Sequence, residues 1–125
     1  MDKIKAKIGD LSKYKIKKKY GAIIALASIH FLTRKQINKL IKEMKNMTKE
    51  GGINVITVFR KKDPSEKDFK MYYFKNGELK KYYSNWKIIC YKEYLKKDRH
   101  GKKGKFHYHR NADIIARKIT KKRLR

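Results

Sequence analysis

The sequence predicts a single α+β domain, and three observations support this fold class. The 125 residues have the length of one domain, and 40% of them are hydrophobic, which is enough for a core. One stretch has the apolar periodicity of a helix, whereas several others are rich in β-branched and aromatic residues. We therefore predict a basic arm at residues 1–19 and a domain at 20–125, which has a mixed or antiparallel sheet and two helices.

The first two elements are a strand and a well-marked helix. Residues 20–29, YGAIIALASI, have the character of a buried strand. Thr33 and Gln36 then form a capping-box pattern, in which each side chain accepts a hydrogen bond from the other residue's backbone. Gly51 and Gly52 are expected to end the helix, because glycine takes the left-handed conformation easily. The apolar stripe of this helix consists of Ile37, Leu40, Ile41, Met44 and Met47.

The middle of the chain is predicted to form antiparallel strands. Residues 53–59, INVITVF, are β-branched and follow the two glycines. Residues 69–74 and 79–83 flank an Asn-Gly pair, which favours a hairpin. Residues 85–95, NWKIICYKEYL, are expected to continue the sheet.

The C-terminal part is predicted to contain one more strand and a second helix. Residues 106–109, FHYH, form the strand, and either Asn111 or Asp113 caps the helix that follows. The apolar face of this helix would consist of Ala112, Ile115, Ala116 and Ile119.

The charge of the chain points to an anionic partner. There are 37 Lys and Arg residues against 11 Asp and Glu residues, which gives a formal net charge of +26 at pH 7. So much self-repulsion favours a permanent polyanionic partner, most simply nucleic acid. The apolar run at 22–32 is too short to span a membrane, and Cys90 stands alone, which excludes a disulfide framework.

His107 and His109 suggest a metal-dependent nuclease as one alternative. Residues two apart on a strand point to the same face, and some replication nucleases bind a divalent metal with such a pair. No tyrosine follows Tyr108, however, so the nucleophile of such an enzyme is lacking there. Cys90 and His100 complete no zinc spacing. We expect the histidines to be ordinary strand residues and the chain to be neither an enzyme nor a metal protein, with no cofactor.

The order of motifs between residues 20 and 64 resembles the L sixteen family of large-subunit ribosomal proteins. That family reads approximately F-G-x-x-A-L-x-A, I-T-x-x-Q-I-E, a Met, Gly-Gly and F-P-D-K-P. This chain has YGAIIALA, LTRKQIN, Met44, Gly51-Gly52 and FRKKDP. Trp86 falls on the tryptophan of the family's P-E-Y-W-V-A-V-V strand, and IIARKI is similar to N-I-A-R-R-A-I.

The resemblance implies an α/β-hammerhead fold and a structural role in the large ribosomal subunit. Large-subunit rRNA, A-site tRNA and neighbouring ribosomal proteins would be the partners, with no membrane and no small-molecule substrate. The implied location is a mitochondrial ribosome, with a bacterial cytoplasm as the alternative. A free nucleic-acid-binding protein and the two-histidine nuclease are the other functions left open. The expected rRNA-binding residues are Lys13, Lys15, Lys17, Lys18, Lys19, Arg34, Lys35, Lys62, Arg110, Arg117, Lys118 and Lys121.

Overall fold

The computed structural model describes residues 15–26, 29, 32–67, 70–99 and 106–119. Most of the predicted basic arm, together with His100 and the last residues of the chain, lies outside these ranges. The described elements are the strands β1 (Tyr20–Leu26), β2 (Thr48–Phe59), β3 (Lys87–Arg99) and β4 (Phe106–Arg117), the helices α1 (Arg34–Asn46) and α2 (Glu78–Tyr82), and a 3-10 turn at Pro64–Lys67.

The four strands form one mixed sheet in the order β1-β2-β4-β3. β1 and β2 are parallel, and α1 forms the crossover between them. β4 lies antiparallel between β2 and β3. The predicted mixed sheet is therefore present, but its parallel pair and helical crossover are those of an α/β unit rather than of a hammerhead.

The predicted capping box at the start of α1 is confirmed. Gln36 N–H donates to Thr33 Oγ1 at 3.2 Å, and Thr33 N–H donates to Gln36 Oε1 at 2.9 Å. Ile37 and Ile41 are almost fully buried, as the apolar stripe predicts. The helix ends at Asn46 with Met47 as its C-cap, four residues before the glycines that were expected to end it.

Gly51 and Gly52 lie inside β2 instead. Gly51 has φ +78°, a conformation that favours glycine. A Cβ on Gly52 would stand 2.6 Å from the carbonyl oxygen of Gly21, so glycine is required here by the close approach of β1. Two glycines after an amphipathic helix therefore indicated a strand that begins at Thr48, not a helix terminus.

The predicted hairpin around Asn76-Gly77 is wrong. Gly77, with φ +76°, is the N-cap of the short helix α2. Before it, Phe74 makes an isolated bridge with Arg60 and belongs to no named strand. Leu79 and Tyr83 are fully buried, and their spacing of four residues matches a helix as well as a strand, which is why the short apolar run was ambiguous.

The predicted C-terminal helix is also wrong, because β4 continues through it to Arg117. Ala112, Ile114 and Ala116 are buried, and this alternation is the period of a strand. Pairing with β2 and β3 on both sides overrides the helix propensity of the alanines.

The core lies on the side of the sheet that carries the helices. Ile37 and Ile41 of α1 pack with Ile56 of β2 and Ile114 of β4 in one cluster. The opposite side of the sheet presents its apolar residues to solvent. Ile24 and Leu26 of β1 are 60% and 61% exposed, and we call this side the open face. None of the described helices is long and apolar enough to cross a membrane.

Candidate functional site

The polar residues of interest meet at one end of the sheet, which we call the carboxyl edge. β1 and β2 are parallel, so their carboxyl ends, Leu26 and Phe59, lie at the same edge. β4 crosses this edge, since its residue Asn111 pairs with Phe59. Ligands of open α/β sheets bind in the crevice outside the carboxyl ends of the parallel strands. We therefore expect a ligand-binding site at this edge.

The buried side chain of Arg60, directly after β2, connects several elements across the carboxyl edge by hydrogen bonds. Its side chain donates from Nε to the backbone carbonyl of Asn111 at 2.8 Å and from Nη1 to Asn76 Oδ1 at 2.9 Å. A third bond runs from Nη2 to the backbone carbonyl of Tyr94 at 3.3 Å, and Glu93 lies 3.8 Å from Nη1. The guanidinium thus joins β2, β3, β4 and the start of α2, and its charge is partly balanced by Glu93.

Asp63 holds the second part of the site together. Its carboxylate accepts hydrogen bonds from Ser65 Oγ at 2.5 Å and from the backbone N–H of Arg110 at 2.5 Å. His109 Nδ1 lies 3.2 Å away, and its ring stacks on Phe59 with centroids 4.5 Å apart. Burial acts to raise the pKa of Asp63, but the hydrogen bonds from Ser65, Arg110 and His109 outweigh it and hold the pKa below its usual value. Asp63 is therefore ionised at neutral pH and fixes the imidazole of His109.

Asn111 contributes a buried acceptor that has no partner. The residue is 3% exposed, and its Oδ1 makes no hydrogen bond to any residue that the structure describes. Buried polar atoms are normally paired, so an orphaned acceptor calls for an explanation. The residue lies at the carboxyl edge, and Oδ1 itself is shielded from solvent in the described structure.

The predicted rRNA-binding residues are spread over several elements. Lys62 and Arg110 lie at the carboxyl edge, and Arg34 and Lys35 lie in the first turn of α1, which follows the carboxyl end of β1. Lys118 donates to the carbonyls of Lys45 and Thr48 at 2.9 Å. The remaining described positions, which are all exposed, are Lys15, Lys17, Lys18, Lys19 and Arg117. Lys13 and Lys121 lie outside the described ranges.

The structure describes the side-chain contacts of His109 and not those of His107. His109 is engaged with Asp63, and the side chain of His107 lies outside the description. Within the described ranges, no three His, Cys, Asp or Glu residues come together as metal ligands. Cys90 is exposed on β3.

Arg60 and Asp63 were not among the site residues predicted from the sequence. The position of an arginine and an aspartate directly after a β-branched strand was the available signal, since that is where site residues of parallel sheets lie.

The architecture described above is shared with solved methyltransferases. The crystal structure of an S-adenosylmethionine-dependent methyltransferase from Methanosarcina mazei superimposes with a TM-score of 0.64 at 15% identity, covering 92% of this chain and 67% of that one. N-methyltransferase NodS from Bradyrhizobium japonicum, solved with S-adenosyl-L-homocysteine, gives 0.62 at 12% identity over 90% of this chain and 53% of that one. The fold is that of S-adenosylmethionine-dependent methyltransferases.

The family follows from closer matches. Residues 1–110 match the family described as "Tellurite resistance protein TehB", and the chain therefore belongs to that family. A probable S-adenosyl-L-methionine-dependent methyltransferase TehB from Haemophilus influenzae is 31% identical over 115 residues, covering 87% of this chain and 39% of the relative. The crystal structure of TehB from that organism gives a TM-score of 0.77 at 27% identity, over 90% of this chain and 40% of that one. The chain thus spans about two fifths of the length of these relatives.

These matches overturn the ribosomal interpretation. The resemblance to the L sixteen family is wrong, and with it the hammerhead fold, the role as a ribosomal constituent and the rRNA partner. The free nucleic-acid binder and the two-histidine nuclease gain no support either. The expectations of a non-enzyme and of no small-molecule substrate are contradicted as well, since the matching relative is described as a probable S-adenosyl-L-methionine-dependent methyltransferase. The mitochondrial location and the boundary between residues 19 and 20 remain predictions.

Dinucleotides bind open α/β sheets at a glycine-rich turn between a strand and a helix. Of the glycines that the structure describes, Gly21 lies in β1, Gly51 and Gly52 lie in β2, and Gly77 caps α2, so none of these four forms such a turn. What the chain does offer at the carboxyl edge is the orphaned acceptor of Asn111 beside the ordered pair of Asp63 and His109.

Proposed function

We propose that this chain works as part of an S-adenosylmethionine-dependent methyltransferase of the TehB family, with the carboxyl edge facing the reaction. The match of residues 1–110 to that family carries the proposal. The exposure of β1 supports it. Parallel strands are normally covered on both faces, yet Ile24 and Leu26 are more than half exposed, and β1 pairs on one side among the described residues.

Further strands beside β1 would complete the sheet. They would bring a glycine-rich turn, which the described residues do not form, to the same edge as Arg60 and Asp63. Helices of this additional part would cover the open face. The relatives, of which the chain spans about two fifths, have enough additional length for such elements.

Within this arrangement the described residues would position a ligand. Asp63 holds the ring of His109 against Phe59, so the imidazole has one fixed orientation. Asn111 accepts a hydrogen bond from a donor group of the bound ligand, which removes the cost of leaving Oδ1 buried and unpaired. Arg60 keeps the ends of β2 and β4 in register and does not itself reach the ligand.

We further propose an anionic methyl acceptor, and tellurite is the first candidate because the family is described by tellurite resistance. The net charge of +26 attracts an anion over a long range. Lys61 and Lys62 are exposed at the carboxyl edge, directly after Arg60, and supply positive charge there.

The test is a methyl-transfer assay on the full protein that carries this sequence. The protein is incubated with methyl-labelled S-adenosylmethionine and tellurite, and labelled tellurium products are counted. The proposal predicts transfer that depends on tellurite and falls about tenfold in Asn111→Ala, the effect of one lost hydrogen bond. The control Lys39→Gln, an exposed change on α1, should retain full activity. A folded protein that transfers no label to any anionic acceptor contradicts the proposal.

A further inference from the structure

A second polar cleft lies at the opposite end of the sheet from the carboxyl edge. It has a volume of about 310 Å³, within the usual range of small-ligand sites. The last turns of α1 form one wall, and the segment from Tyr82 to Trp86 forms the other. Lys118 closes the base just after β4 ends. These elements meet where β2 and β3 begin, so the cleft is separate from the candidate site.

The lining of this cleft is cationic. Lys42, Lys45 and Lys118 line it, and none of the lining residues is acidic. The other lining residues are amides, aromatic rings and one isoleucine: Asn38, Asn46, Asn85, Tyr82, Trp86 and Ile41. Amide nitrogens and ammonium groups are donors that suit the oxygens of an anion.

Lys45 is held in place by neutral groups. Its Nζ donates to the carbonyl of Tyr82 at 2.6 Å and to Asn85 Oδ1 at 2.8 Å, which leaves one N–H for another acceptor. The same ammonium lies 5.3 Å and 5.9 Å from the ring centres of Tyr83 and Trp86. Burial and the neighbouring charge of Lys118 lower the pKa of Lys45, and the two acceptors of its ammonium are both neutral.

The end of α1 does not cancel this positive character. The last carbonyls of a helix normally present partial negative charge. Here Lys118 Nζ donates to the carbonyl of Lys45 at 2.9 Å, and Thr48 Oγ1 donates to the carbonyl of Met44 at 2.6 Å. With these carbonyls engaged, the charge that a ligand meets in the cleft is that of the lysines.

We propose that this cleft binds a small anion bearing two or more phosphate groups, at a site distinct from the methyl-transfer site. Two phosphates can bridge Lys42 at the rim and Lys45 further in, while Asn85 remains as a neighbouring amide donor. Such an anion would lie beside Trp86, which is 7% exposed. The proposal does not depend on the methyltransferase activity.

Trp86 provides the readout, because it is the one tryptophan of the chain. Pyrophosphate is titrated into the 125-residue chain at about 150 mM salt, where diffuse attraction is screened beyond roughly 8 Å. The proposal predicts a saturable change in Trp86 fluorescence. Lys42→Gln and Lys45→Gln should each weaken the affinity about tenfold, the value of one charge-assisted hydrogen bond.

The control is Lys39→Gln, which removes the same charge from an exposed residue of α1 that does not line the cleft. It should change the affinity less than twofold. Lys42 is exposed on α1, so its variant keeps the test valid even if Lys45→Gln fails to fold. Equal weakening by Lys39→Gln, or pyrophosphate binding in calorimetry without any response of Trp86, overturns the proposal.

Discussion

The Nε of Arg60 lies 2.8 Å from the backbone carbonyl oxygen of Asn111, and this hydrogen bond joins the end of β2 to β4 at the carboxyl edge. The bond is short because the two segments are already paired, with Arg60 N–H donating to the carbonyl of Arg110. Since Asn111 carries the orphaned acceptor, the position of that acceptor depends on Arg60.

Replacing Arg60 with Met should therefore destabilise the fold strongly. The change leaves the acceptors of Asn111, Asn76 and Tyr94 without their donor and leaves Glu93 without its cation. We expect a loss of about 3 kcal/mol in the free energy of unfolding, measured by urea denaturation. Arg117→Met, at an exposed position on β4, is the control and should stay within about 0.5 kcal/mol. Similar losses in both variants would refute the role given to Arg60.

Asp63 should make the stability of the protein sensitive to acid. Its pKa is lower in the folded chain than its usual value of 3.8, so its stabilising effect is complete above the unfolded pKa. The effect is lost as the pH falls below 3.8 and through the folded pKa. Urea midpoints measured from pH 6 down to pH 2 should thus fall less steeply in Asp63→Asn than in the parent chain. Glu50→Gln, an exposed change, should keep the parent slope; a parent slope in Asp63→Asn would show that Asp63 is not the stabilising group.

Gly52 and Gly21 offer a matched pair for the close approach of β1 to β2. A Cβ on Gly52 would meet Gly21 O at 2.6 Å and Lys49 O at 2.8 Å, whereas a Cβ on Gly21 meets nothing within 4 Å. Gly52→Ala should lower the free energy of unfolding by about 1–3 kcal/mol through backbone displacement. Gly21→Ala should change it by less than about 0.5 kcal/mol. The stabilities of the two variants are compared by thermal unfolding, followed by circular dichroism. Equal stability would mean that β1 and β2 do not approach each other closely at Gly52.

Short sequence motifs predicted the local structure correctly where only one conformation satisfies their polar groups. Thr33 and Gln36 form the predicted capping box, because no other local structure satisfies both backbone donors so simply. The glycines were less specific. Gly51 and Gly52 can end a helix, but here they allow β2 to turn and approach β1.

The C-terminal segment could not be resolved from its own residues. Ala112, Ile115, Ala116 and Ile119 fit one face of a helix, while Ala112, Ile114 and Ala116 fit one face of a strand equally well. The two partner strands on either side of β4 decide between these patterns, because Ala116 pairs with Asn54 of β2 and with Ile88 of β3, both far from it in sequence. The polar cluster was missed for the same reason, since Asp63 meets His109 across 46 positions.

The ribosomal assignment failed because its motifs describe a strand, a capped helix and a second strand, which many α/β proteins share. The charge of +26 then seemed to require nucleic acid, although net charge informs about partners and not about fold.

The central claim is that the chain belongs to a working methyltransferase, and cofactor binding tests it most directly. S-adenosylmethionine is titrated into the full protein that carries this sequence in an isothermal calorimeter, with S-adenosylhomocysteine as competitor. The account predicts saturable binding of one cofactor per protein that the competitor displaces. Absence of saturable binding by a protein whose circular dichroism shows the folded sheet would contradict it.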